Sequence, residues 1–537
     1  MMKRVVVSAM FCLALVTSAL AQRGGQEWLT SNVDAQRSSW IRTDAKISRE
    51  NMQKPGFQLL WKMKLDNEAK QLNSLMQPVL LDRLIGYRGF KSLAFVGASS
   101  DTLYAIDDDL GRLYWKTHFN ITATPQQNGS VLCPGGMTAA ATRPTTLLPL
   151  TPGRGGGNRV NAARAVVGEP DQGVPDIFGR GSIVPPGGAA PAAPAPAGPG
   201  APPPGGGGGG GGQGPVSSVY VLASDGMIHQ LSVQTGKDVA MQPEKFLPPN
   251  ANGSGLLLVD NMLYTSTANE CGGAANGVWA MDLSSPDRTV TSWRTGGPSV
   301  AGSAGPTIGT DGTVYVAAGD SVVALERKTL QQRDSFTQPK ADFSASPLVF
   351  QHRGKDLIAA AGRDRRLYIL NSTSLGGNDH QTPLSATSLT SNADFAPGAL
   401  ASWQDEDGTR WILVPTSTAV AAFKLVEQGG VPTLQQEWTS REMFSPLPPI
   451  IINDVVFALS SGAFRSGGAQ MTAAQRAQRS KPAVLYALDA STGKELWNSG
   501  STITSFAHSG GLSGGLGQVY VGTYDSTFYT FGFPIEK

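Results

Sequence analysis

The chain has 537 residues, 40% apolar and 16% charged, with 43 Lys+Arg against 41 Asp+Glu and a formal net charge of +2. That apolar content supports a packed core, and the near-balance of charge lacks the basic excess of a nucleic-acid binder, so no nucleic-acid partner is expected. The 65 Gly and 36 Pro exclude a mainly helical protein and favour short strands joined by turns.

At the N-terminus, Lys3 and Arg4 precede a mostly apolar run from Val5 to Val16, and Ala19-Leu20-Ala21 supplies a small-x-small cleavage pattern. Residues 1–21 therefore read as a signal peptide, and the expected location is periplasmic or secreted. The alternative is an uncleaved anchor, which the shortness of the run disfavours. Cys12 lies inside the run rather than after the cleavage box, so lipid anchoring is not suggested. No later segment approaches the length of a spanning helix, so no transmembrane span is expected after cleavage.

Residues 151–215 hold 21 Gly and 13 Pro, including eight consecutive glycines from Gly205 to Gly212. They lack the fixed glycine offsets and the Lys-Ser/Thr of a phosphate loop and are expected to be a disordered insertion.

Outside that block the sequence repeats. A short β-rich run recurs around Phe95, Tyr220, Tyr264, Tyr315, Ile358, Ile412, Val456 and Tyr520, at spacings of 43 to 64 residues once the insertion is set aside. Eight units of this size suit four-stranded blades, and several strands alternate apolar and polar residues with period two. The fold class read from this is all-β: an eight-bladed β-propeller of four-stranded antiparallel blades. The strands of each blade are lettered A to D from the inside outward.

The last repeat, Gln518–Phe531, offers strands B and C with no room for D. The segment around Trp61 has the character of a D strand with no A, B or C before it. Pairing the two predicts a ring closed by an N-terminal strand, which would leave no open edge. Residues 22–150 then hold the closing strand, the first blade and the start of the second, with strand A of blade 2 placed at Thr145–Leu150. Residues 216–537 hold the remaining blades.

Turn chemistry between strands C and D is clearest from Ala487 to Trp497 (ALDASTGKELW) and recurs from Ala105 to Trp115 (AIDDDLGRLYW). Gly493 and Gly111 can take the positive φ of a tight turn, and Trp497 and Trp115 can wedge against a neighbouring blade. Asp107-Asp108-Asp109 falls in such a turn and is read as solvated. Asp405 to Gly408 is read as a hairpin turn.

This A-x-D-x-x-T-G-K-x-x-W run resembles the tryptophan-docking repeat of pyrroloquinoline quinone (PQQ) propellers, the fold of quinoprotein alcohol dehydrogenases and of many non-enzymatic relatives. The resemblance implies that D–A and B–C loops form the cofactor face. Candidate polar groups there are Arg143, Glu270, Asn276, Asp394, Arg465 and His508, with Glu270 and Asn276 the nearest to a metal pair. In the enzymes of that family a Glu/Asn/Asp set binds Ca²⁺ against the quinone, and hard oxygen donors suit that ion. The pair of adjacent cysteines typical of many such dehydrogenases is absent from this sequence.

The expected function is therefore an exported module that binds a ligand or an exported protein partner without catalysis. The alternative is a PQQ/Ca²⁺-dependent dehydrogenase of alcohols or sugars, with those two cofactors. The five histidines show no HExxH spacing, and no G-x-S-x-G elbow is present. Export places the chain in an oxidising compartment, where Cys133 and Cys271, in glycine-flanked loops of one face and neighbouring blades, are expected to form a disulfide.

Overall fold

The computed structural model describes residues 26–86, 89–119, 126–128, 131–147, 218–240, 242–390, 398–465, 471–508 and 512–534. The leader and the Gly/Pro-rich insertion lie outside them. Eight β-sheets follow one another around a ring as propeller blades, joined by hairpins within each blade. The eight-bladed architecture read from the repeats is the one found.

Strands B and C are buried on both faces because each blade stacks between two others. Val455–Ser460 and Thr102–Asp107 are buried at every position. Their apolar runs are near-continuous, and alternation survives only outside, as in Arg112–His118 of blade 1. Core clusters accordingly span neighbouring blades.

Ring closure is as the missing strand predicts. Gln58–Lys64 pairs antiparallel with Thr527–Gly532, so blade 8 takes its outer strand from the N-terminal part of the chain and its inner three from residues 512–532. Phe57, just before this strand, packs edge-on against Trp497 and Phe533.

A common device locks the blade seams. The indole of Trp115 donates to the Val233 carbonyl at 2.9 Å and lies against Gly236, where an added Cβ would fall 2.5 Å from the ring. Trp438 does the same to Ala490 and Gly493, and Trp61 to Asp108 and Gly111. Each glycine has positive φ (60° at Gly111, 67° at Gly236, 70° at Gly493), so the turn requires it twice over, for conformation and for room. Trp497 is placed differently, packing on Phe531 of blade 8 as well as on Phe57.

Blade 2 departs from expectation. Its inner position is taken by Thr142 alone, bridged to Tyr220, whereas Thr145 pairs in parallel with Val259 of blade 3. The chain crosses to the next blade after Arg143-Pro144, where proline supplies no amide for a ladder. Leu147 and Ser218, the described ends around the insertion, lie on the face of A–B loops.

The acidic turn is a second correction. Asp107 and Asp108 are 4% and 1% exposed, not solvated. The turn is tucked beneath Trp61 and against blade 8, and Asp107 is neutralised by Lys91. Asp405 to Gly408 does form the expected hairpin turn, with the Gly408 amide bonded to the Asp405 carbonyl.

Candidate functional site

The centre of the ring is filled by the chain itself. Residues 28–44 enter the channel and meet the eight blades in order. Backbone amides of Leu80, Arg143, Ile308, Val349, Ser402 and Ile451, on or beside the inner strands of blades 1, 2, 4, 5, 6 and 7, donate to the carbonyls of Trp28, Leu29, Ala35, Gln36, Ser38 and Ser39. Thr30 Oγ1 donates to Leu256 of blade 3, and the Asp44 carboxylate accepts from the Gly517 amide of blade 8. Trp40–Ile41 also forms a short parallel strand on Ile450–Ile452.

Small polar residues let this segment coil tightly. Asn32 and Ser39 are joined twice, by Asn32 Nδ2 to Ser39 Oγ at 2.7 Å and by the Ser39 amide to the Asn32 carbonyl. Asn32, Val33, Arg37 and Ser39 all have left-handed φ, which for a β-branched residue such as Val33 is a strained conformation. Arg37 is the anchor. Its guanidinium, 1% exposed, donates to Pro306 O, Ser31 O, Gly255 O and Thr30 Oγ1. Burial lowers its pKa to about 9, partly opposed by Asp34. The sequence reading missed this plug, because no strand-like alternation marks residues 26–47.

Of the predicted site residues, Arg143 belongs to the channel wall. It pairs with Glu27 at 2.6 Å and donates to the Leu80 carbonyl, tying the plug's entry to blades 1 and 2. Glu270 and Asn276 share the B–C loop of blade 3, but their contact is structural: Asn276 Oδ1 accepts the Glu270 amide and Nδ2 donates to the Gly297 carbonyl. The Glu270 side chain is exposed. Among the described residues no group of three or more His, Cys, Asp and Glu could hold a metal ion. Asp394 lies outside the described residues.

The same loop carries the disulfide. Cys133 and Cys271 are bonded, with Cα atoms 5.6 Å apart, clamping the connection between blades 1 and 2 to blade 3. Gly272, at φ 63°, brings the loop against Pro249, where a Cβ would fall 2.1 Å from the carbonyl oxygen.

Arg465 and His508 are brought together on this face, over blades 7 and 8. The Ala507 amide donates to the Ser461 carbonyl, joining the D–A loop of blade 8 to the B–C loop of blade 7. His508 Nδ1 is buried without a hydrogen-bond partner. Burial, reinforced by Arg465 and Arg476, pushes the imidazole pKa down to about 4, so the ring is neutral at pH 7. Arg476, which no sequence argument singled out, is held by the helix Ala473–Arg479, whose start is fixed by a Thr472–Gln475 capping box.

Among solved structures, a europium-containing methanol dehydrogenase matches with a TM-score of 0.52 and 11% identity, over 96% of this chain and 99% of that one. The quinohemoprotein alcohol dehydrogenase ADHIIG from Pseudomonas putida HK5 matches at 0.50 and 11%, over 95% and 81%. BamB from Moraxella catarrhalis matches at 0.45 and 11%, over 90% and 99%. At such identities the likeness is one of fold, that of PQQ-type propellers. No protein-family model and no curated protein matches the sequence.

Proposed function

We propose that this chain is an exported, non-catalytic propeller that binds its ligand or partner through the face of B–C and D–A loops. The observation that carries the reading is the filled channel. The inner-strand amides named above are spent on the chain's own residues 28–44, and the guanidinium of Arg37 is consumed by neutral acceptors of the same region. A prosthetic group at the ring's axis would compete with that plug. The loops of the B–C face, by contrast, are fixed to one another by the Cys133–Cys271 bond and the Ser461–Ala507 contact, which makes a preorganised surface.

The competing reading is the PQQ/Ca²⁺-dependent dehydrogenase. The test is absorbance of the purified protein after addition of PQQ and Ca²⁺, together with dye reduction over a panel of alcohols and sugars. No PQQ spectrum and no dye reduction are expected. Stoichiometric PQQ binding with substrate-dependent dye reduction would overturn the reading. Export is tested separately: N-terminal sequencing of the protein from the medium or periplasm should begin at Gln22, and retention of residues 1–21 in a membrane fraction would refute it. No helix among the described residues is long and apolar enough to cross a membrane.

A further inference from the structure

The two loops that meet over blades 7 and 8 are unusual in charge. Residues 461–483 contain Arg465, Arg476, Arg479 and Lys481 and no acidic residue, and residues 499–511 contain His508 and no acidic residue. Two of these cations are parked on aromatic faces: Arg479 lies 5.5 Å from the Phe464 ring and Lys481 5.4 Å from the Phe444 ring. Nearby, Arg441 is paired with Glu495 at 2.7 Å and stacked on Tyr486.

Arg465 differs. Its side chain is exposed, and its guanidinium has no hydrogen bond, ion pair or ring contact among the described residues. Arg476 is turned toward it, donating Nη1 to the Arg465 carbonyl at 3.0 Å. The buried Nδ1 of His508 completes the group, unpartnered. A guanidinium without a partner beside an unsatisfied ring nitrogen is a place where an anion can be held by charge-assisted hydrogen bonds.

We infer that Arg465, Arg476 and His508 form a binding site for the anionic group of a small ligand, a carboxylate or a phosphate. Arg465 supplies a planar fork suited to two oxygens of either group. Neutral His508 can present Nδ1–H as a third donor, and Arg476 adds charge while its bond to the Arg465 carbonyl holds the loop. A compact anion is favoured over an acidic stretch of a partner protein because the three groups belong to two loops tied to each other by the Ala507–Ser461 hydrogen bond rather than to an extended basic surface. This inference deepens the binding-module reading and rests on it.

The experiment is calorimetric titration of the full mature protein with inorganic phosphate and, separately, with citrate, at constant ionic strength set by chloride. Saturable binding of at least one is expected. Arg465→Gln should weaken it tenfold or more, and Arg465→Lys by less, with melting temperatures in ligand-free buffer unchanged because Arg465 makes no contact to lose. His508→Phe, which keeps the ring volume, should also weaken binding. Phosphate binding alone would assign a phosphoryl group, citrate binding alone a carboxylate. Silence with both anions, affinity unchanged in Arg465→Gln, or binding confined to a poly-glutamate peptide would each overturn the inference. None of these outcomes depends on PQQ or dye reduction, so failure here is distinguishable from failure of the non-catalytic reading.

Discussion

Tyr520 of blade 8 donates its hydroxyl to Asp108 of blade 1 at 2.8 Å, across the seam where the ring closes. The same contact recurs elsewhere with a backbone acceptor: Tyr264 reaches the Arg327 carbonyl and Tyr315 the Ser372 carbonyl, each from a strand B to the C–D turn of the following blade. Only at the closing seam among these three is the acceptor a carboxylate. Burial, with Asp109, Asp107 and Asp82 nearby, raises the Asp108 pKa to about 7 against the hydrogen bond from Tyr520. Its other oxygen, Oδ1, is buried without a partner, which suits a protonated carboxyl.

A pH dependence follows from that shift. The folded state holds a proton on Asp108 up to about pH 7, whereas the unfolded chain releases it near the ordinary value of 3.8. Between those limits the folded form binds more protons, so this carboxyl's contribution to stability falls as pH rises from 4 to 7 and stays low above it. The effect is of the order of a few kcal/mol. Asp108→Asn should be more stable than the parent at pH 8 and close to it at pH 4.5, by urea denaturation at both values. A variant equally destabilised at both would contradict the assignment.

The seam tryptophans should be strong determinants of stability. Trp438→Ala removes a buried indole and its bond to Ala490, at a cost of about 3–5 kcal/mol. Gly493→Ala, at φ 70° and with no room beneath the same ring, should cost more than about 1 kcal/mol. In the double variant the two losses should not add, since removing the indole makes space for the methyl group. Full additivity in denaturant titrations would show that the two residues act independently.

The disulfide closes a loop between residues 138 positions apart, for which chain entropy gives about 4–5 kcal/mol. Intact-mass measurement on the protein made without residues 1–21, which include Cys12, should find no alkylated cysteine in the unreduced, denatured chain and two after reduction. Reduction should lower the melting temperature. Two alkylated thiols without reductant would show that the bond is not made.

The plug offers a fourth test. Arg37→Met should destabilise by at least about 3 kcal/mol, because the acceptors on Ser31, Thr30, Gly255 and Pro306 lose their buried donor. Hydrogen exchange should rise at the amides of Ile308, Val349 and Ser402, which depend on the plug's carbonyls. Unchanged protection at these amides would mean that the segment does not hold the channel.

Much of this architecture was legible in the chain alone, because its signals are local. The repeat spacing, the turn glycines 111 and 493 and the orphaned strand at Trp61 each report a short-range rule of strand, turn or edge, and the Cys133–Cys271 pairing followed once the blades were counted. What only the tertiary structure decided depends on which blades become neighbours. Trp28 to Asp44 carries no periodic pattern, since its backbone bonds go to each blade in turn rather than to one strand, and so the plug was invisible. The burial of Asp108 comes from Trp61 and Tyr520, which are remote in sequence. Arg465 and His508 were each legible as groups on one loop face, but their convergence with Arg476 arises from the docking of two loops, 461–483 and 499–511, that belong to different blades. A charge's meaning is set by what surrounds it, and that is a property of the folded ring.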